Sequence, residues 1–295
     1  MSHILHRTAL LGFGEAGIAF AEQWGPQASA AVHAYDIKTD DPAAASAKRA
    51  DFARLGVTGT GTLREAVADA DMVLSVVTAD RALEAARAAA ALLKPGALYC
   101  DFNSVAPQTK RAAATAVSDA GGRYADVAVM APVRPQRLSV PLLVSGPDSG
   151  EACALLRQAG FAPRDIAGEV GRASMIKMLR SVMIKGIEAV TAECYLAAHA
   201  AGVVDEVTAT LNASWPGVDW AERADYNLER MMVHGRRRAA EMDEVAATVA
   251  GLGLPNPMSR ATAEAQRRIG QLGLKPVEGL AAKSARILDS RDAAA

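Results

Sequence analysis

The chain has 295 residues, room for two domains with cores of their own, and a net charge of −1, which offers nucleic acid no basic surface. Hydrophobic residues make up 51% of it but aromatics only 4%, an alanine-rich balance that favours an α/β or α protein over a β-sandwich. Charge or glycine breaks every apolar stretch within the roughly 18 residues a membrane span needs, no cleavable leader is visible, and Cys100, Cys153 and Cys194 lack disulfide or metal spacing, so a soluble, cytoplasmic, metal-free protein is expected.

In chain order, Thr8–Leu11, Ala31–Tyr35, Met72–Val77, Ala97–Cys100 and Leu142–Val144 read as strands of a parallel sheet. Ala16–Trp24, Ala43–Leu55, Asp80–Leu93 and Ala106–Asp119 read as helices between them, and Lys94-Pro95-Gly96 and Gly121-Gly122 supply turns. This alternation is the pattern of a doubly wound sheet with right-handed crossovers. Past Gly168 the rhythm changes. Arg172 to about Ala201 predicts one long helix, followed by helices over Val203–Asn212, Trp220–Ala250, Ser259–Gln271 and Glu278–Leu288. Turns fall at Trp215-Pro216-Gly217, Gly251–Pro257 and Gly270–Pro276. The expected domains are 1–167 for dinucleotide binding and 168–295 for a helical domain that includes the long linking helix.

Gly12-Phe13-Gly14-Glu15-Ala16-Gly17 is a GxGxxG turn directly after a strand and before a helix. Gly12 permits the tight turn, Gly14 lets the backbone approach a pyrophosphate, and Gly17 lets the helix pack closely, with its free N–H groups aimed at the phosphates. Asp36 ends the second strand, where a carboxylate can accept the hydrogen bonds of an adenosine ribose and repel a 2′-phosphate. NAD is therefore expected, with NADP open because Lys38 stands nearby. Val77 and Thr78 lie at the carboxyl end of the third long strand, where a cofactor crosses an open sheet; Thr78 or Asp80 could equally be a plain helix cap.

On the long helix Lys177, Arg180, Ser181, Lys185 and Glu188 share one side, as helical spacing requires. Such a stripe either lines a cleft, with Lys177 as proton shuttle or carbonyl ligand, or is a solvated face with Lys185 and Glu188 as an ion pair. His234-Gly235-Arg236-Arg237-Arg238 is the one basic run, read as a solvated face that could also bring His234 or an arginine to an anionic substrate. Arg134 and Arg137 carry the same ambiguity. Trp215 and Trp220 are expected to pack the C-terminal domain, and Cys100 to be core.

Together these motifs resemble the β-hydroxyacid dehydrogenase family, which includes 3-hydroxyisobutyrate and tartronate semialdehyde enzymes and is related to 6-phosphogluconate dehydrogenase. The cofactor signature matches Leu11–Gly17. The substrate signature is similar to Asp101-Phe102-Asn103-Ser104-Val105-Ala106-Pro107. The interdomain-helix signature matches Gly171 and Lys177. The resemblance implies an α/β Rossmann domain, a long interdomain helix and an all-α C-terminal domain, assembled as a homodimer or homotetramer. It implies Lys177 as the catalytic residue, Asn103 at both cofactor and substrate, and Ser104, Ser181, Met130, Ala131 and Pro132 toward the substrate, where the basic run would add His234. Departures are equally specific. Ser181 replaces an asparagine, Asn103 and Ser104 replace a Ser-Thr pair, and Met130-Ala131-Pro132 falls where the family has a Ser-Gly-Gly cradle for a carboxylate. Pro132 has no N–H to offer. A family lysine of the C-terminal domain is absent near Ala240, so a divergent branch with a C-terminal domain of unknown function is indicated. Ile184 stands where 6-phosphogluconate dehydrogenases use a glutamate in decarboxylation. The expected activity is hydride transfer to or from a small hydroxy acid or its aldehyde or keto form, without decarboxylation. The alternatives are an imine or amine oxidoreductase on the same scaffold, whose members usually lack the lysine, and a non-catalytic dinucleotide sensor.

Overall fold

The computed structural model describes residues 7–292, which divide into two compact units, one through Lys177 and one from Met178. The first unit alternates strands and helices in the order β1 (Thr8–Leu11), α1 (Glu15–Ser29), β2 (Val32–Tyr35), α2 (Pro42–Leu55), β3 (Thr58–Gly59), α3 (Leu63–Val67), β4 (Met72–Ser75) and α4 (Ala82–Ala90). It continues with β5 (Leu98–Asp101), α5 (Pro107–Asp119), β6 (Arg123–Val129), the helical turn α6 (Val133–Gln136), β7 (Leu142–Ser145), α7 (Ser149–Gln158) and β8 (Pro163–Asp165). These strands form one sheet in the order β3-β2-β1-β4-β5-β6-β7-β8. The central strands β1, β4 and β5 are buried at every residue, which is why they read as mostly apolar runs.

The sheet is not wholly parallel, as the strand pattern had suggested. β7 runs antiparallel to β6, pairing Asp126 with Ser145 and Val129 with Leu142. The segment between them holds no crossover helix longer than one turn, and a parallel return needs a dozen or more residues with a helix. β6 itself was not expected as a strand, because the polar Asp126 interrupts its apolar run; the fold satisfies that carboxylate internally. The short β3, α3 and β8, and the ten-residue α7, also had no distinct periodic signature in the sequence.

The few aromatics are concentrated rather than scattered. Phe20 meets Phe161 edge-on at 4.9 Å on one side of the sheet, in a cluster with Trp24 and Phe102, and the indole of Trp24 donates to Ala159 O at 2.7 Å. Such edge-to-face pairs add about 0.5–1.5 kcal/mol beyond area burial. The other side is built from Ala86, Ala89, Val117, Tyr99 and Tyr124. Cys100 is fully buried, and burial pushes its thiol well above the ordinary range.

The long helix α8 runs Arg172–Ala201 and carries the chain into the second unit, where α9 (Val204–Ser214), α10 (Trp220–Gly251), α11 (Pro257–Gln271) and α12 (Leu280–Asp292) follow. Among the described residues no helix is long and apolar enough to cross a membrane. The polar stripe on α8 is neither a cleft lining nor a solvated face at Lys185 and Glu188. Both are buried, and they pair across to α10 instead of with each other: Lys185 Nζ lies 2.8 Å from Glu241, and Arg238 Nε donates to Glu188 at 2.9 Å. Gln266 on α11 adds a third bond to Glu188 at 2.9 Å. A charge entering this interior needs a partner, so Arg238 leaves the expected solvated run and turns inward. Trp215 lies tilted against Trp220, with ring centroids 5.5 Å apart, yet stays 55% exposed, so it packs less of the unit than its size suggested.

α10 and α11 touch backbone to backbone. A Cβ on Gly235 would lie 2.5 Å from Gln266 O, and one on Gly270 would lie 2.5 Å from Arg236 N. Alanine is the better helix former by about 1 kcal/mol, but neither backbone can yield, and overpacking costs about 1–3 kcal/mol. Gly235→Ala should therefore lower the thermal midpoint by roughly 5 °C, measured by circular dichroism. A raised midpoint would mean the two helices are not in contact here.

Candidate cofactor and substrate site

The glycine turn is built by three different constraints. Gly12 has φ 87° and donates to Tyr35 O at 2.9 Å; a Cβ there would meet Val76 O at 2.8 Å. A Cβ on Gly17 would lie 2.8 Å from Gly12 O. Gly14 differs, because it is exposed with nothing within 4 Å of a Cβ. It caps α1 without a side-chain bond, so the first N–H groups of that helix remain open toward the space above Gly14. Glu15 is exposed and Ala16 half-buried beside it.

Beneath the turn, Phe13 is fully buried with its ring 4.8 Å from Phe52, and its N–H donates to Asp36 Oδ2 at 2.7 Å. Asp36 Oδ1 accepts from Lys38 N at 2.9 Å, and Lys48 Nζ donates to Phe13 O at 2.7 Å. Asp36 is thus locked by two N–H groups at only 8% exposure. Swinging it away, so that Lys38 could take a phosphate, would break both bonds. Lys48 had no motif to announce it; it lies on α2 and reaches the turn only in the folded chain. Val77 is half-buried and Thr78 exposed past the end of β4, which stops at Ser75, two residues earlier than expected. Thr78 makes no side-chain cap bond, so the plain capping role is not what holds it.

The loop after β5 brings together the other candidates. Asn103 is 4% exposed; its N–H donates to Asp101 Oδ1 at 2.8 Å and its Nδ2 to Ser75 Oγ at 3.0 Å. Its Oδ1 is buried without a hydrogen-bond partner among the described residues. Ser104, half-buried, accepts a hydrogen bond from Lys177 Nζ. Residues far apart in sequence therefore meet within the first unit.

A buried charge cluster sets this meeting. Asp126 in β6 accepts from Gly171 N at 3.1 Å, Ser174 N at 3.0 Å, Ser174 Oγ at 2.6 Å and Ser145 Oγ at 3.3 Å. Lys110 Nζ, fully buried on α5, stands 3.4 Å from Asp126 and 3.1 Å from Asp101, and donates to Asp101 O at 2.6 Å. Tyr124 donates to Asp101 Oδ2 at 2.6 Å, and burial and the neighbouring Asp101 hold its phenol far above the ordinary value, so it stays a donor. Asp101 thus orients Asn103, while Asp126 anchors the start of α8 one turn before Lys177. Lys110 joins the two. An aspartate inside an otherwise apolar strand was the available signal that a buried partner exists; Lys110, in an alanine-rich helix, had none.

The other substrate candidates are placed less directly. The N–H of Met130 is taken by Pro141 O at 2.9 Å, Ala131 packs on the core, and Pro132 is exposed. The residues before them, Asp126–Val129, are committed to the sheet. Arg134 pairs with Glu22 of α1 at 2.8 Å and Arg137 with the same carboxylate at 3.6 Å, which ties this segment to the cofactor helix. The Arg134 guanidinium holds Glu22 below the usual carboxylate range. Ser181 is buried, 3.5 Å from Lys185 Nζ, and His234 is half-buried on α10.

These features fit a dinucleotide: an open glycine, unused helix N–H groups, an orphaned buried acceptor at Asn103, and a fixed acid at the end of β2. The comparisons agree. Residues 7–148 match the NAD binding domain of 6-phosphogluconate dehydrogenase, and residues 198–269 match a domain of unknown function, DUF1932. A conserved hypothetical protein from Sinorhizobium meliloti 1021 is 38% identical, with 97% of this chain and 98% of that chain covered and a TM-score of 0.75. Conserved protein MTH1747, of unknown function and structurally similar to 3-hydroxyacid dehydrogenases, is 29% identical over 90% of this chain and 97% of its own, with a TM-score of 0.68. The 3-hydroxyisobutyrate dehydrogenase of Mycobacterium tuberculosis shares the fold at 16% identity, covering 96% and 99% of the two chains with a TM-score of 0.72.

The open space at Gly14 separates folding from binding. Gly14→Ala should leave the thermal midpoint of the free protein within ~1 °C but weaken NADH, followed by its fluorescence, at least ~10-fold by blocking backbone approach to the pyrophosphate. Undiminished NADH binding would remove the turn from the cofactor site.

Proposed function

We propose, for a chain that belongs to the family joining the NAD-binding domain of 6-phosphogluconate dehydrogenase to a C-terminal domain of unknown function, oxidation or reduction of a small hydroxy acid at its CH–OH carbon, without decarboxylation. The observation that carries this reading is the hydrogen bond from Lys177 Nζ to Ser104 Oγ, beside Asn103 and in the same unit as the glycine turn. Lys177 donates to a small hydroxyl, a position that a substrate oxygen can take over.

The dinucleotide would be held by Gly12–Gly17, Asp36, Val77, Thr78 and Asn103, and it supplies the hydride acceptor or donor when bound. The chain's own groups do the rest. Lys177 Nζ holds the substrate oxygen, takes its proton on oxidation and returns it on reduction, while its charge opposes the negative charge developing on that oxygen. Ser104 and Asn103 orient the carbinol, and Asp101 keeps Asn103 from rotating. Ser181, one helical turn after Lys177, is a further orienting candidate. Ile184 is apolar, so the second acid–base group that decarboxylation would use is missing.

Two experiments test this. A panel of hydroxy acids, semialdehydes and cyclic imines, followed by the absorbance of reduced cofactor, should give turnover with a member of the first two groups. With that substrate, Lys177→Ala should lose roughly two to four orders of magnitude in kcat while NADH still binds. Near-normal turnover in that variant would refute the role of Lys177, and cyclic-imine turnover alone would point to the imine chemistry. Cofactor preference rests on the locked Asp36: NAD should be favoured, and Asp36→Ser should shift kcat/KM toward NADP. A wild-type preference for NADP would overturn this.

A further inference from the structure

Between α8 and α10 the described cations outnumber the carboxylates. α8 and α10 are matched pair by pair, Lys185 with Glu241, Glu188 with Arg238, and Thr191 with Asn227. Arg237 then shares Glu241 with Lys185. Arg230, half-buried on the same helix, has no hydrogen-bond or ion-pair partner among the described residues. Burial holds its guanidinium below the ordinary value, and the nearby guanidiniums of Arg238 and Arg237 press it further down; Glu188, already engaged by Arg238 and Gln266, offsets only part of this.

The stretch therefore carries four cations, Lys185, Arg230, Arg237 and Arg238, against two carboxylates, Glu188 and Glu241. Neighbouring acids are committed elsewhere: Asp225 and Glu229 bond Lys283 of α12, and Asp243 and Glu264 bond Arg267. Helical spacing puts Tyr226, Arg230 and Arg237 on one side of α10, with His234 beside them. Tyr226 is 51% exposed, so its hydroxyl is accessible there. A half-buried guanidinium pressed by like charges is stabilised when a group of opposite sign binds it. We propose that this face of α10, centred on Arg230 with Arg237 and Tyr226 around it, binds a small oxyanion, a phosphate or carboxylate group. A guanidinium fork matches both by paired N–H···O bonds, and the phenol supplies a further donor. The site lies within the helical unit and is independent of the reaction proposed above.

The test uses the full-length chain and inorganic phosphate, with sodium chloride at matched ionic strength as reference. Phosphate in ~100-fold excess over its dissociation constant should raise the thermal midpoint by roughly 5 °C, with the shift growing as the logarithm of phosphate concentration. Arg230→Gln should lose this shift while its midpoint without phosphate stays level or rises, because like-charge repulsion is relieved. Arg223→Gln, at an exposed position of the same helix, should keep the shift. If Arg230→Gln does not fold, Arg230→Lys should move the phosphate midpoint up roughly tenfold by losing the fork. The proposal is overturned by equal stabilisation of wild type and Arg230→Gln, by an equal effect of chloride, or by an unchanged midpoint in Arg230→Lys. It is also overturned if phosphate has no effect and Arg230→Gln instead breaks an oligomer, for then a second copy supplies the missing carboxylate. NADH fluorescence, read in parallel, keeps failure here distinct from failure of the cofactor reading.

Discussion

A single buried carboxylate, Asp126, decides where the candidate catalytic lysine can be. It lies inside a strand, accepts from two backbone N–H groups and a serine at the start of α8, and faces the fully buried Lys110. A negative charge at a helix N-terminus is favoured by the free N–H groups and by the helix dipole. In an interior without water it has no other way to be satisfied. Through Lys110 the same cluster grips Asp101 and so the loop bearing Asn103 and Ser104. The hydrogen bond between Lys177 and Ser104 is the surface expression of this internal arrangement.

The cofactor end follows the same logic with different parts. Backbone is packed against backbone at Gly12 and Gly17, where a side chain would clash, and left open at Gly14, where a ligand can approach. Asp36 and Lys48 brace the turn from below, one accepting from Phe13 N and the other donating to Phe13 O. A turn held on both sides loses little freedom on binding, which is what preorganisation means for affinity.

The segment after β6 shows how the chain diverges from the hydroxyacid dehydrogenase pattern it resembles. A carboxylate cradle of backbone N–H groups is not what Met130–Pro132 offers, since the first N–H serves the sheet and the last residue has none. Arg134 and Arg137 are instead spent on Glu22 of α1. In the helical unit, charges that read as a solvated stripe turn inward and hold α8 against α10, and the half-buried Arg230 has no hydrogen-bond or ion-pair partner among the described residues.

By itself the sequence determined the alternating first unit, the thirty-residue helix Arg172–Ala201, the glycine turn with its acid, and Lys177 as the residue to examine. These are legible because local periodicity and tight turns depend on residues close in the chain. Only the tertiary structure decided the antiparallel β7, the partners of Lys185, Glu188 and Arg238, and the parts played by Lys110, Lys48 and Asp126. In each of these a polar group finds its partner dozens of residues away, and the need to satisfy charge in a dry interior leaves no local pattern to read.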